Sequence, residues 1–175
     1  MGSTSARWAV IAAVGVIGLA AGIYFGTDGA PRQEPIAAAA LRGLALPDAD
    51  GTEQRIDQWR GKVVIVNFWA TWCAPCREEM PEFVKAQTEL GPKGLQIVGI
   101  AVDQPDKIRQ FAAEIGLNYP TLVGGFGAME LSKTLGNTVM ALPFTVIVDR
   151  QGAIAHTQLG VLKPDKLNTI VRQLL

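Results

Sequence analysis

Histidine and cysteine are all but missing from this chain: His156 is its one histidine, and Cys73 and Cys76 are its only cysteines in 175 residues. Two thiols cannot furnish a four-ligand zinc site alone, and one imidazole does not complete a Cys₂His₂ set. Neither sign of charge is in excess, because sixteen basic and sixteen acidic residues cancel. No stretch is basic enough to suggest nucleic acid, and no internal repeat is present. From Trp8 to Phe25 charge is lacking altogether.

That uncharged run of eighteen residues would make roughly 27 Å of helix at about 1.5 Å per residue, enough to cross a hydrocarbon core. Trp8 at one end and Tyr24 and Phe25 at the other suit the two interfaces, with Arg7 on the amino side. The reading is a transmembrane anchor over 8–25, residues 1–7 in the cytoplasm, and everything beyond on the outer face of a bacterial cytoplasmic membrane, in the periplasm or cell exterior. A cleavable signal peptide competes, with small-residue sites at Gly18-Leu-Ala20 or Ala37–Ala40. Both place the rest of the chain outside the cytoplasm. Gly18 and Gly22 form a small-xxx-small pair that could join two anchors. Residues 26–41, rich in Gly, Ala and Pro, read as a flexible tether, and 42–175 is the length of one domain.

What is present in that domain is a pattern of alternating elements. Leu44–Gln58 reads as a small leading hairpin around Pro47-Asp-Ala-Asp-Gly51, Lys62–Phe68 as a buried strand, and Ala74–Leu90 as a helix with Pro81 kinking it. Leu95–Val102 is a second buried strand, and Asp106–Ile115 a helix closed by Gly116. Tyr119–Val123 and Met129–Leu135 suggest a short strand and a short helix. Phe144–Val148 and Ala153–Leu159 form a hairpin about Asp149–Gly152, and a last helix starts near Pro164. This order describes an α/β protein with a mixed sheet and helices on both faces.

Cys73 and Cys76 fall where the first buried strand turns into a helix. The spacing allows a local disulfide opened and closed by exchange, and the helix amino end favours a thiolate at Cys73. A structural bridge is the plainer alternative, but closing so short a loop removes little chain entropy. Asymmetry between the two thiols gives a mechanism: Cys73 attacks and Cys76 resolves. Trp72 would cover the disulfide, Trp69 belong to the core, and Pro75 stiffen the turn; Arg77 either favours the thiolate or is a solvated helix residue. His156 reads as an ordinary surface residue.

Val66-Asn-Phe-Trp-Ala-Thr-Trp-Cys-Ala-Pro-Cys-Arg77, followed by Leu142-Pro-Phe-Thr-Val-Ile-Val-Asp-Arg-Gln-Gly152, resembles the TlpA/ResA group of membrane-tethered thioredoxin-like oxidoreductases over about 42–175. The resemblance implies a thioredoxin-like sheet with a strand–helix insert, placed within 91–122. It implies a cis Pro143 facing the disulfide, with the backbone of Leu142 offered to an incoming peptide. Thioredoxins carry a buried aspartate where this chain has Asn67, so that proton relay is absent. Some members place a glutamate after the second buried strand; here Gln104 falls there, and Asp103 is the nearest carboxylate, unless it merely caps the next helix. The implied activity is reduction of client protein disulfides, with no cofactor or metal beyond the Cys73–Cys76 pair. A transmembrane thiol transporter would be the donor, and apocytochrome c or a copper-site assembly protein the client. A disulfide-introducing oxidase, a thiol peroxidase of related fold and a copper-binding module remain alternatives, although Thr71 lies only two residues before Cys73, without the proline a peroxidatic motif needs.

Overall fold

Three wholly buried strands form the middle of the molecule, and their sequences explain why. β3 (Val63–Trp69), β4 (Leu95–Ala101) and β6 (Phe144–Val148) are nearly continuous apolar runs, and every residue of all three is buried, as a sheet covered on both faces requires. The computed structural model describes residues 34–175; the anchor expected over 8–25 and residues 1–7 lie outside them. Among the described residues no helix is long and apolar enough to cross a membrane.

Among the described residues α1 (Glu34–Arg42) comes first, followed by the antiparallel pair β1 (Ala45–Pro47) and β2 (Glu53–Arg55) and a 3₁₀ turn at Ile56–Trp59. After β3 come α2 (Ala74–Leu90), β4, α3 (Pro105–Ile115), β5 (Thr121–Val123) and α4 (Gly125–Thr134). β6, β7 (Ile154–Leu159) and α5 (Pro164–Leu174) complete it. The five-stranded sheet runs β5-β4-β3-β6-β7. β3, β4 and β5 are parallel, while β6 and β7 are antiparallel to their neighbours. β7, at the edge, alternates between exposed and half-buried positions.

One face of the sheet packs Met80, Phe83 and Leu90 of α2, Phe111 of α3 and Leu167 and Val171 of α5. The other packs Leu41 of α1, Trp59 and Ala128 of α4. Each of the Leu, Val, Met and Phe side chains contributes about 1.5–3 kcal/mol on full burial. The expected layout of helices on both faces is therefore present, as are the leading hairpin and the hairpin at Asp149–Gly152, whose Asp149 carboxylate accepts the N–H groups of Gln151 and Ala153. Two strand–helix units, β4–α3 and β5–α4, stand between α2 and β6.

Two expectations need correction. The composition of 26–41 reads as a tether, but Glu34–Arg42 is helical, with Ala37, Ala38 and Leu41 buried and Ala37 and Leu41 packed against the sheet; three apolar side chains at i, i+1 and i+4 make a stripe that an alanine-rich run disguises. The short helix expected at Met129 begins at Gly125. Glycine is required just ahead of it, since a Cβ at Gly124 would lie 2.5 Å from that of Ala128.

Candidate redox site

α2 begins at the disulfide. Cys73 is its N-cap residue and its sulfur accepts the Cys76 backbone N–H at 3.3 Å, with Pro75 in the first turn, where the missing N–H costs nothing. The two sulfurs are bonded at 2.05 Å, with Cα atoms 5.3 Å apart. Cys73 is 6% exposed and Cys76 not at all. The helix dipole thus points at the one sulfur that borders the surface.

That surface is a groove of about 490 Å³. Trp72, 68% exposed, and Phe126, 90% exposed, stand on it with Met129, Met140 and Leu142, and no charged residue lines it. Leu142–Pro143 is cis, as the resemblance implied. The loop before it is held by Asn137, a buried residue that the sequence did not mark. Its side-chain amide donates to the Ala141 carbonyl at 2.8 Å, and its Oδ1 accepts the Ala141 N–H at 3.2 Å. Between them Met140 sits at φ 52°, a left-handed conformation costing a non-glycine residue on the order of 1–2 kcal/mol. Gly160 donates to the Pro143 carbonyl at 2.8 Å, between the exposed Leu159 and Val161.

Behind the disulfide the chemistry changes. Glu79, one helical turn past Cys76, is 2% exposed and points into the protein. Its Oε1 accepts from the Asn67 amide at 2.9 Å and its Oε2 from the Leu162 N–H at 2.8 Å. Asn67 also donates to Thr145 Oγ1 at 3.0 Å. Burial pushes the Glu79 carboxyl up to about 7, against the two hydrogen bonds that pull it down. The absence of a relay read from Asn67 is therefore incomplete: the carboxylate has moved from the strand to the helix, and Asn67 holds it. Thr145, Asn67, Gly99 and Thr121 are cross-strand neighbours and form a polar row under α2. A Cβ on Gly99 would meet Trp69 Nε1 at 2.8 Å and Thr121 Oγ1 at 2.9 Å. Tyr119, buried beside this row, has its hydroxyl pushed up by burial and by the Glu79 charge.

The remaining marked residues are fasteners rather than parts of the groove. Asp103 accepts from Thr71 Oγ1 and from the Gln104 N–H at 2.8 Å, with Lys107 3.8 Å away. Burial pushes its carboxyl up, but these partners outweigh it and hold it below the usual range. It thereby ties the turn before Cys73 to the start of α3. Gln104 is the N-cap residue of α3 and its exposed side chain makes no cap bond. Arg77 lies over the Phe111 ring at 4.7 Å and pairs with Glu114 at 3.3 Å. Trp69 is fully buried and His156 half-buried on β7. Among the described residues no cluster of three or more His, Cys, Asp or Glu could hold a metal ion.

Residues 38–157 match the AhpC/TSA family. The thiol-disulfide oxidoreductase ResA of Bacillus thuringiensis subsp. konkukian is 28% identical over 75% of this chain and 74% of its own. The thioredoxin-like protein YneN of Bacillus subtilis is 34% identical over 68% of this chain and 69% of its own. Among solved structures, a thiol:disulfide interchange protein of the thioredoxin family from Chlorobium tepidum superposes with a TM-score of 0.69 at 26% identity, covering 75% of this chain and 92% of that one. A disulfide across a strand-to-helix turn, on a sheet of this topology, agrees with all three: the chain belongs to the AhpC/TSA family and is a thiol–disulfide oxidoreductase of thioredoxin-like fold.

Proposed function

We propose that this enzyme reduces disulfides of client proteins outside the cytoplasm, held at the membrane by residues 8–25. The observation that carries the reading is the unequal setting of the two sulfurs: Cys73 borders an open groove, and Cys76 is enclosed, one helical turn from the residue whose carboxyl titrates near neutrality.

The Cys73 thiolate, favoured by the α2 amino end, attacks a client sulfur. One Cys73–client bond forms, the client disulfide breaks, and the departing client thiolate takes a proton. Cys76 then attacks Cys73, its proton passing to Glu79 and on to the second client thiolate. Two electrons leave the enzyme, which ends as the Cys73–Cys76 disulfide and needs a dithiol donor for the next cycle. A group titrating near 7 suits both directions of that transfer. The compartment being oxidising, a transmembrane thiol transporter fits as donor. The client is a protein rather than a small charged thiol, because the groove is wide, apolar and without a cation to meet a carboxylate; apocytochrome c and copper-site assembly proteins are the classes to try first.

The reduction potential of the Cys73–Cys76 pair tests the direction. A value toward the ~−270 mV of thioredoxin is expected; one near ~−120 mV would make the enzyme an oxidase.

A further inference from the structure

A second cavity, of about 320 Å³, opens between α1, the Ile56–Trp59 turn and the β6–β7 turn. Its floor is apolar: Leu41, Ile56, Trp59, Val64 and Val148, all buried. Five cations and only two carboxylates line the rest, in a chain whose net charge is zero. Both carboxylates are engaged, Asp57 with Arg55 and Asp149 with backbone N–H groups of its own turn. Arg42 donates to the Gly152 carbonyl and Arg150 to those of Lys93 and Leu175. Arg60 and Lys62 are exposed, and among the described residues their side chains make no hydrogen bond or ion pair. The mouth therefore carries positive charge over a hydrocarbon-like floor.

We propose that this cavity binds an anionic amphiphile, its hydrocarbon chain on the floor and its phosphate or carboxylate head against Arg60 and Lys62. Inorganic phosphate alone would leave the floor unused, and an uncharged apolar ligand would leave the two cations without a partner. The volume lies at the lower end of small-molecule sites, which suits a single chain. The site is separate from the redox groove, because Val64 lies at the amino end of β3 and Cys73 follows its carboxy end, across a strand roughly 23 Å long. Eight residues, 26–33, separate α1 from the uncharged run, a reach of at most about 28 Å. On the reading that 8–25 is an anchor, a tether of this length lets the cavity reach the head groups of a bilayer. The amphiphile is then an anionic phospholipid of that bilayer.

Residues 34–175 hold both hydrophobic clusters, and the solved relative consists almost wholly of the matched part, so this fragment can be studied alone. Methyl NMR titrations with decyl phosphate, decanol and inorganic phosphate should give saturable shifts at Leu41, Ile56, Val64 and Val148, with decyl phosphate at least tenfold tighter than the other two. Lys62→Glu combined with Arg60→Glu should weaken it at least tenfold and leave reduction of a small disulfide unchanged. Equal affinity in the double variant, or shifts centred on Trp72, would overturn the proposal. Binding to phosphatidylglycerol but not phosphatidylcholine vesicles identifies a membrane lipid as the source; binding of decanoate without vesicle binding identifies a free fatty acid; binding of neither overturns it. Release of the full chain from membranes, with decyl phosphate still bound by the fragment, would remove the anchor reading and leave the site standing.

Discussion

The two sides of the Cys73–Cys76 bridge are built from opposite materials. In front lies a groove of exposed apolar side chains without a charge; behind lies a buried row of Thr145, Asn67 and Thr121, with Glu79 reaching into it from α2. An apolar rim binds clients by excluding water, whereas a carboxyl kept out of water titrates near neutrality and can serve a thiol. On the proposed mechanism, the difference assigns access to Cys73 and proton transfer to Cys76.

The sharpest way to break that comparison is to remove one sulfur at a time. Cys76→Ser should halt turnover and accumulate mixed disulfides with clients, and Cys73→Ser should accumulate none; non-reducing gels of both variants decide it, and equal trapping would erase the asymmetry.

Glu79 predicts a pH dependence of stability. Its folded value, about 7, stands above the ordinary 4.5, so its contribution is fully present below 4.5 and is lost as pH rises through about 7. The loss is at most about 3 kcal/mol, measurable as a fall in urea midpoint between pH 4.5 and 8 that Glu79→Gln flattens. Asn67→Ala should cost about 1–3 kcal/mol, because a buried carboxyl oxygen and Thr145 lose their donor; it should also move the Glu79 titration upward, read by NMR of the side-chain carboxyl. On the front side, Phe126→Ala should raise KM for a protein client by up to about tenfold and leave the rate with a small uncharged disulfide unchanged. A parallel loss with the small disulfide would mean that Phe126 shapes the site rather than the docking.

The sequence displayed what regular periodicity and a short local motif can carry. β3, β4 and β6 were visible as apolar runs, α2 and α3 by their stripes and caps, and the disulfide by its spacing. Glu79 was not, because Arg77-Glu78-Glu79 reads as a solvated stretch of the helix. Its one signal was position: it lies three residues after Cys76 and four before Phe83, on the buried stripe of the helix. Asn137 was missed for another reason, since a polar clamp across a loop leaves no periodic trace. α1 was hidden by composition, an alanine run next to a proline looking like a linker until its apolar face met the sheet. The basic-rimmed cavity draws residues from both ends of the domain, and no local pattern could assemble it.

The central claim is that Glu79 receives the proton of Cys76. The direct measurement is the single-turnover rate at which Cys76 releases a client from Cys73, followed against pH in the wild type and in Glu79→Gln. The wild-type rate should rise as pH passes the value near 7 at which the Glu79 carboxyl loses its proton. In the variant that step should vanish and the rate at pH 7.5 should fall by about 10²-fold, while attack by Cys73 is unchanged. An unaltered pH profile in a folded Glu79→Gln protein would contradict the account.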